Sequence, residues 1–217
     1  MKKTIAVLCA AVGAILFAFA GCSGADNFTE KVYHSGDIAI ERVDIQVTDR
    51  ALEIGASEDG QVHIEYYDSE KEYLDIASEN GRLTVELVLD KDWTDFIGIK
   101  PAAEYRKIVI QVPDDKMVNI TADTTNEDIK VTSLSLIESL HSNGGSIVCE
   151  RVNVGQSLDL TAKNGDITGT VVGSWDDFAI TCSIKKGDCN LPLSKEGGSK
   201  SFTADCNNGN IDIEFVR

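Results

Sequence analysis

One short phrase recurs along the C-terminal half of this chain, and it limits the available folds more than any other feature. Asn126-Glu127-Asp128-Ile129, Gly144-Gly145-Ser146-Ile147, Asn164-Gly165-Asp166-Ile167, Lys186-Gly187-Asp188-Cys189 and Asn208-Gly209-Asn210-Ile211 close on positions spaced by 18, 20, 22 and 22 residues. Looser copies lie upstream: Ser35-Gly36-Asp37-Ile38, Asp59-Gly60-Gln61-Val62 and Asn80-Gly81-Arg82-Leu83. Ile108 falls at the right interval without a glycine, which makes nine copies. A fixed period of this length is the signature of a stacked-repeat architecture.

The flanks of each phrase say what is stacked. Before the corner the chain alternates with period two: Leu158, Leu160 and Ala162, then Ile180, Cys182 and Ile184, then Phe202, Ala204 and Cys206. Thr and Asp stand between them, so one face of each strand is apolar and the other polar. Asn-Gly and Gly-Asp supply the conformations that a tight corner requires. Each copy is then strand, corner, strand, and it cannot bury its apolar row alone; stacking lines those rows into ladders. The reading is an all-β, single-chain β-solenoid or β-helix of about 20-residue rungs with Asn/Gly/Asp corners. An antiparallel sandwich is the alternative, since it also uses short strands and regular turns.

Three segments follow from the N-terminus. Residues 1–21 read as an export signal, with Lys2 and Lys3 ahead of an apolar run from Thr4 to Ala20. The run ends in Phe19-Ala20-Gly21-Cys22, which resembles the lipobox of bacterial lipoproteins, with Phe19 where an aliphatic residue is usual. That resemblance implies cleavage before Cys22 and its acylation, and two or more acyl chains hold a protein stably on a membrane. An uncleaved membrane anchor is the alternative. Residues 22–35 read as the lipidated Cys and a polar tether, and residues 36–217 as the solenoid domain. Loss of residues 1–21 removes two lysines and no acid, so a net charge of −16 becomes −18. Such a balance excludes nucleic acid as a partner, because phosphates would be repelled.

The order of segments carries a resemblance. An alternating Ile-rich start is followed by Val62-His63-Ile64-Glu65-Tyr66-Tyr67 and by Asn80-Gly81-Arg82-Leu83-Thr84-Val85. A Trp93/Phe96/Gly98 loop, Ile108-Val109-Ile110-Gln111-Val112-Pro113 and the Asn-Gly-Asp-Ile repeats complete it. Residues 36–217 in this order resemble a bacterial family of domains of unknown function regarded as adhesins, found as surface lipoproteins or membrane-anchored proteins in Gram-positive bacteria. The resemblance implies a β-solenoid-like fold and no known catalysis. It also implies that some members serve systems responding to envelope stress.

No catalytic constellation is legible. Cys149, Cys182, Cys189 and Cys206 all fall at inward rung positions, where a free cysteine acts as a small apolar residue. Cys182 and Cys206 are two residues out of step, so Cys182–Cys189 across one rung is the better candidate for a bridge. No Cys-x-x-Cys pair argues for a metal. His34, His63 and His141 read as singly exposed, on different rungs. Outward acids do not pair: Asp159 shares a register with Thr121, Ser139, Thr181 and Thr203, and in the next register Asp123 and Asp205 stand four rungs apart. No Arg or Lys is expected beside an acid to grip a uronate. Corner acids lack calcium-repeat spacing and read as turn caps. No cofactor and no metal is expected.

Two loops break the rung pattern, one with Trp93 and Phe96, the other with Trp175 and Phe178. Their aromatic and acidic side chains suit a sugar or peptide ligand, while burial against a solenoid edge is the plainer reading. The sequence thus points to a non-catalytic, extracytoplasmic binding or envelope-structural module. Its expected partners are the membrane, through a lipid anchor, and a glycan or protein ligand at the surface. An accessory role in envelope-stress signalling and a polysaccharide-degrading β-helix enzyme are the alternatives.

Overall fold

A computed structural model describes residues 27–90, 100–114, 118–135 and 137–217. Cys22, Trp93 and Phe96 lie outside the described residues. Along the chain the strands are β1 Thr29–His34, β2 Arg42–Gln46, β3 Ala51–Ser57, β4 His63–Asp68, β5 Glu72–Glu79, β6 Arg82–Leu89, β7 Lys107–Pro113, β8 Asn119–Thr124 and β9 Ile129–Thr132. There follow β10 Ile137–Ser142, β11 Ile147–Asn153, β12 Ser157–Asn164, β13 Ile167–Val172, β14 Phe178–Lys186, β15 Ser194–Lys195, β16 Lys200–Asn208 and β17 Ile211–Val216. Two short 3-10 turns, Ala103–Arg106 and Trp175–Asp177, are the helical pieces among the described residues. None of the described helices is long and apolar enough to cross a membrane.

The strands form two sheets around one shared core. The first has the order β1-β4-β7-β3-β9-β11-β13-β17, the second β15-β14-β16-β12-β10-β8-β2-β6-β5. The inner rows are in register across layers, as the alternation demands. Leu52, Ile129, Ile147, Ile167 and Ile211 form one ladder in the first sheet, and Val85, Ile45, Ala122, Leu140, Leu160, Ala204 and Cys182 form one in the second. All twelve of these side chains are buried. Burial of β-branched and Leu side chains on both inner faces is the main stabilising term of such a stack.

The layers do not follow chain order. The strands β2 and β3 make one layer; β6 and β7 stack on one side of it, β8 and β9 on the other. Between these come β4 and β5, which run antiparallel to β7 and β6 and cover the end of the stack. The C-terminal end repeats the device. From the β12/β13 layer the chain goes out to β14, turns back through the antiparallel β15, and returns as β16 and β17 to fill the gap. Antiparallel strands therefore close both sheets at the N-terminal end and the second sheet at the C-terminal end, where bare edges would otherwise recruit other chains.

Three sequence expectations need correction. Asn80-Gly81 is not a solenoid corner but the two-residue turn of the β5–β6 hairpin, with Glu79 opposite Arg82. Asn80 and Gly81 have φ of 51° and 78°, the pair of positive values that such a turn selects. Ile38 does not face inward; it is 41% exposed, and Ile40 is the buried residue. The tether ends before residue 35, because Thr29–His34 pair along their whole length with β4.

The downstream corners explain their own chemistry. A side chain built on Gly165 would overlap the backbone of Gly145 in the layer below, and one on Gly209 would overlap Gly165. Neighbouring corners approach backbone to backbone, so glycine is needed for closeness. The next residue of each corner caps the adjacent layer. Asp128 Oδ1 accepts from Ser146 N at 2.7 Å, Asp166 Oδ1 from Asn210 N at 2.7 Å, and Asn210 Oδ1 from Asp188 N at 2.9 Å. Corner acids thus cap turns, but those of neighbouring layers.

Candidate functional site

A glycine, Gly55, interrupts the flat outer face of the first sheet. On the first sheet, the outward side chains of β7, β3 and β9 surround Gly55, whose position has open space above it. The result is a shallow, open groove of about 240 Å³ lined by Glu53, Gly55, Val109, Gln111, Lys130 and Thr132. Val109 and the glycine backbone give it an apolar floor; Gln111 and Thr132 supply donors and acceptors. Its charged rim is pre-set: Lys107 pairs with Glu53 at 2.6 Å and Lys130 with Glu150 at 2.9 Å. The repeat pattern passes over this site; the glycine inside the strand Ala51–Ser57 is the one sequence mark it leaves.

The same outward row continues to a histidine pair that the sequence reading kept apart. β1 lies against β4 with His34 opposite His63, and His63 is opposite Gln111 of the groove. The two Nδ1 atoms are 2.5 Å apart, and His63 Nε2 is 2.7 Å from Asp59 Oδ1. With both rings neutral, Asp59 keeps the proton on His63 Nε2, so His63 Nδ1 accepts from His34 Nδ1–H. The hydrogen bond between His63 Nε2 and Asp59 is the main cause holding the Asp59 carboxyl below the usual aspartate range. The repeat pattern sets the two residues on different rungs; the antiparallel pairing of β1 with β4 brings them together. No group of three or more metal-ligating side chains occurs among the described residues.

The outer face of the second sheet carries the acids. Thr84, Asp44, Thr121, Ser139, Asp159, Thr203 and Thr181 stand in one row; Gln46, Asp123, His141, Thr161, Asp205 and Ser183 in the next. These registers are the expected ones, but the spacing is not. Because β16 inserts beside β12, Asp123 and Asp205 are three strands apart, not four, and Asp205 lies diagonal to Asp159. Partial burial, then the Asp205 charge, raise the Asp159 carboxyl above its ordinary range. Arginines also stand beside an acid, contrary to expectation. Arg42 donates from Nε to both oxygens of Asp44 at 2.8 and 3.1 Å, Arg82 pairs with the same carboxylate, and Arg42 reaches Glu138 at 3.0 Å. Asp44 is thereby neutralised rather than left free for a ligand. His141 Nδ1 is 2.7 Å from Asp123 Oδ2.

The aromatic loop divides between its two readings. Phe178 is fully buried and packs on Phe215 with ring centroids 4.8 Å apart, so it cannot present its ring to a ligand. The reason is register: it opens β14 on the inward face. Trp175 stays 41% exposed at the stack's edge, with Phe215 at 5.5 Å and Lys195 Nζ 5.5 Å above its ring. Of the thiols, Cys149, Cys182 and Cys206 are buried, as expected of inward positions, and Cys189 is partly exposed.

Comparison with known proteins agrees with this architecture. Residues 40–144 match the family described as Toastrack DUF4097. No curated protein matches the chain. A crystal structure of a proposed cell adhesion protein from Clostridium sporogenes is similar over 88% of this chain and 100% of its own, at 12% identity and a TM-score of 0.63. Proposed adhesins from Bacteroides fragilis and Parabacteroides distasonis are 11% and 12% identical, cover 89% and 88% of this chain, and give TM-scores of 0.30 and 0.31. Identity this low carries the fold alone, and of these three structures the clostridial one does so. The family resemblance drawn from residue order is thus found again by independent means: the chain carries a Toastrack DUF4097 match over residues 40–144 and, over most of its length, the fold of the clostridial protein.

Proposed function

We propose that this chain is a non-catalytic cell-surface lipoprotein, held to the membrane by acyl chains on Cys22, that uses a sheet face of its solenoid as an adhesin-like binding surface. The short polar segment after Cys22 gives it reach. Stacked layers of about 20 residues, turned by Asn/Gly/Asp corners, give it a flat and repetitive exterior. The observation that carries the reading is the groove over Gly55, open to solvent and edged by amide, hydroxyl and paired charges but by no nucleophile with a base. Such a surface holds a ligand by hydrogen bonds and shape, without chemistry. The name of the clostridial neighbour, a proposed cell adhesion protein, points the same way. A glycan or a protein segment is the ligand class, and Trp175 offers a second contact at the edge of the stack.

The test is a glycan and protein array probed with the full-length protein. Binding is expected, and Gln111→Ala or Thr132→Ala weakens it by about tenfold at unchanged melting temperature, the loss of one or two hydrogen bonds. Trp175→Ala distinguishes the edge from the groove. Binding that survives all three substitutions would sink both contact assignments. Turnover of any glycan on the array would overturn the non-catalytic reading.

A further inference from the structure

The last layer of the stack lacks what the layers below it have. In the β8/β9, β10/β11, β12/β13 and β16/β17 layers, the corner leads into a full strand of the first sheet. After the corner that follows β14, that outgoing strand is reduced to a single bridge, Cys189 against Ile211. Cys189 lies just before a reversal: Leu191 is the last buried residue ahead of it, and the chain then folds back as β15 along β14. On the first-sheet side the layer is therefore held to β17 by the two residues flanking Cys189: the Asp188 carbonyl accepts from Ile211 N, Asn190 N donates to the Ile211 carbonyl, and the Asn190 side chain bonds Asp212 and Ile213.

Two thiols meet at this weak place. Cys182 is an inward residue of β14, in register with Ala204; Cys189 follows the corner on the opposite sheet. Their Sγ atoms are 3.0 Å apart, within about 1 Å of a bonded sulfur pair. Cys206 is in register with Ile184 and turns its thiol to the Gly165 carbonyl at 3.4 Å, and Cys149 is buried in another layer.

We propose that Cys182 and Cys189 are an oxidation site, forming an intrachain disulfide that closes the terminal layer covalently where its outgoing strand is missing. The reaction is thiol–disulfide exchange with a disulfide oxidant. Both S–H bonds break, the Cys182–Cys189 S–S bond forms, and two protons and two electrons pass to the oxidant, whose S–S bond breaks to give two thiols. Cys189, the more exposed of the two, attacks first and Cys182 resolves the mixed disulfide. Burial, then the neighbouring Cys189, push the Cys182 thiol up to about 12, so it is the slower partner. The proposed export would bring the chain to such oxidants, but the chemistry can be tested without it.

The full-length protein is incubated with oxidised glutathione, its remaining thiols are alkylated, and it is digested with trypsin, which cuts after Lys185 and Lys186 between the two cysteines. One linked peptide pair joining Cys182 to Cys189 is expected, with Cys149 and Cys206 alkylated. Cys206→Ser leaves the linked pair unchanged. Reduction lowers the melting temperature of the oxidised wild type by about 5 °C, and Cys189→Ser melts identically with and without reductant. Alkylation of both Cys182 and Cys189 after oxidation, or Cys206 in place of either, would overturn the assignment. So would a linked pair whose reduction leaves melting unchanged, since the bond would then hold nothing together.

Discussion

Single residues on this protein act mainly through the strand beside them. Asp159 illustrates it: partial burial raises its carboxyl, and so does the charge of Asp205, which the insertion of β16 brings close. A folded-state pKa above the unfolded one means that the fold binds the Asp159 proton more tightly than the unfolded chain does. The charged form is then a small burden, present above the folded pKa and absent below the ordinary aspartate value of about 3.9. Asp159→Asn should raise the melting temperature by about 1–2 °C at pH 7, with the gain shrinking to nothing as pH falls toward that value. A gain independent of pH would show that charge is not its cause.

At the scale of the element, glycines of the same chemical kind do opposite things. Gly165 is pressed against the Gly145 backbone of the next layer, whereas Gly55 has open space above it. Gly165→Ala forces two layers apart and should cost about 2–3 kcal/mol. Gly55→Ala should stay within about 0.5 kcal/mol of wild type in stability while filling the groove. Denaturant unfolding of the two variants side by side checks the contrast; equal costs would mean that the corners are not close-packed. The glycine that matters for stability is set by layer contact, and the one that matters for binding by its absence.

The whole molecule depends on how its two ends are closed. At the N-terminal end the antiparallel cover is fixed by a buried ion pair, Arg50 with Glu72, both almost wholly inaccessible. Arg50 precedes β3 and Glu72 opens β5, so the pair ties the covering hairpin to the parallel stack. The Arg50 carbonyl also accepts from Thr124 Oγ1 at 2.7 Å, which adds β8 to the junction. Glu72→Ala leaves a buried guanidinium without this carboxylate and should cost about 3–5 kcal/mol in a urea melt. The double substitution Arg50→Met with Glu72→Leu should recover most of that loss; a double variant as unstable as the single one would mean that packing, not charge, holds the junction.

The sequence by itself determined the all-β class, most of the downstream strands and which of their side chains face inward. These properties are local: a period of two places side chains on faces, and a repeated Asn-Gly-Asp phrase marks a turn wherever it falls. Family resemblance was legible in segment order for the same reason. The order of the layers was decided only by tertiary structure. Nothing in the spacing of Asn80-Gly81 distinguishes a hairpin from a solenoid corner, and nothing around residues 178–217 announces that β16 will slip between β12 and β14. Neighbours across a sheet follow from which strand fills which gap, and that choice belongs to the packing of the whole chain. Hence Cys149, Cys182 and Cys206 were placed inside correctly from the sequence, while the partial exposure of Cys189 and the meeting of His34 with His63, of Asp159 with Asp205, and of two arginines with Asp44 were not.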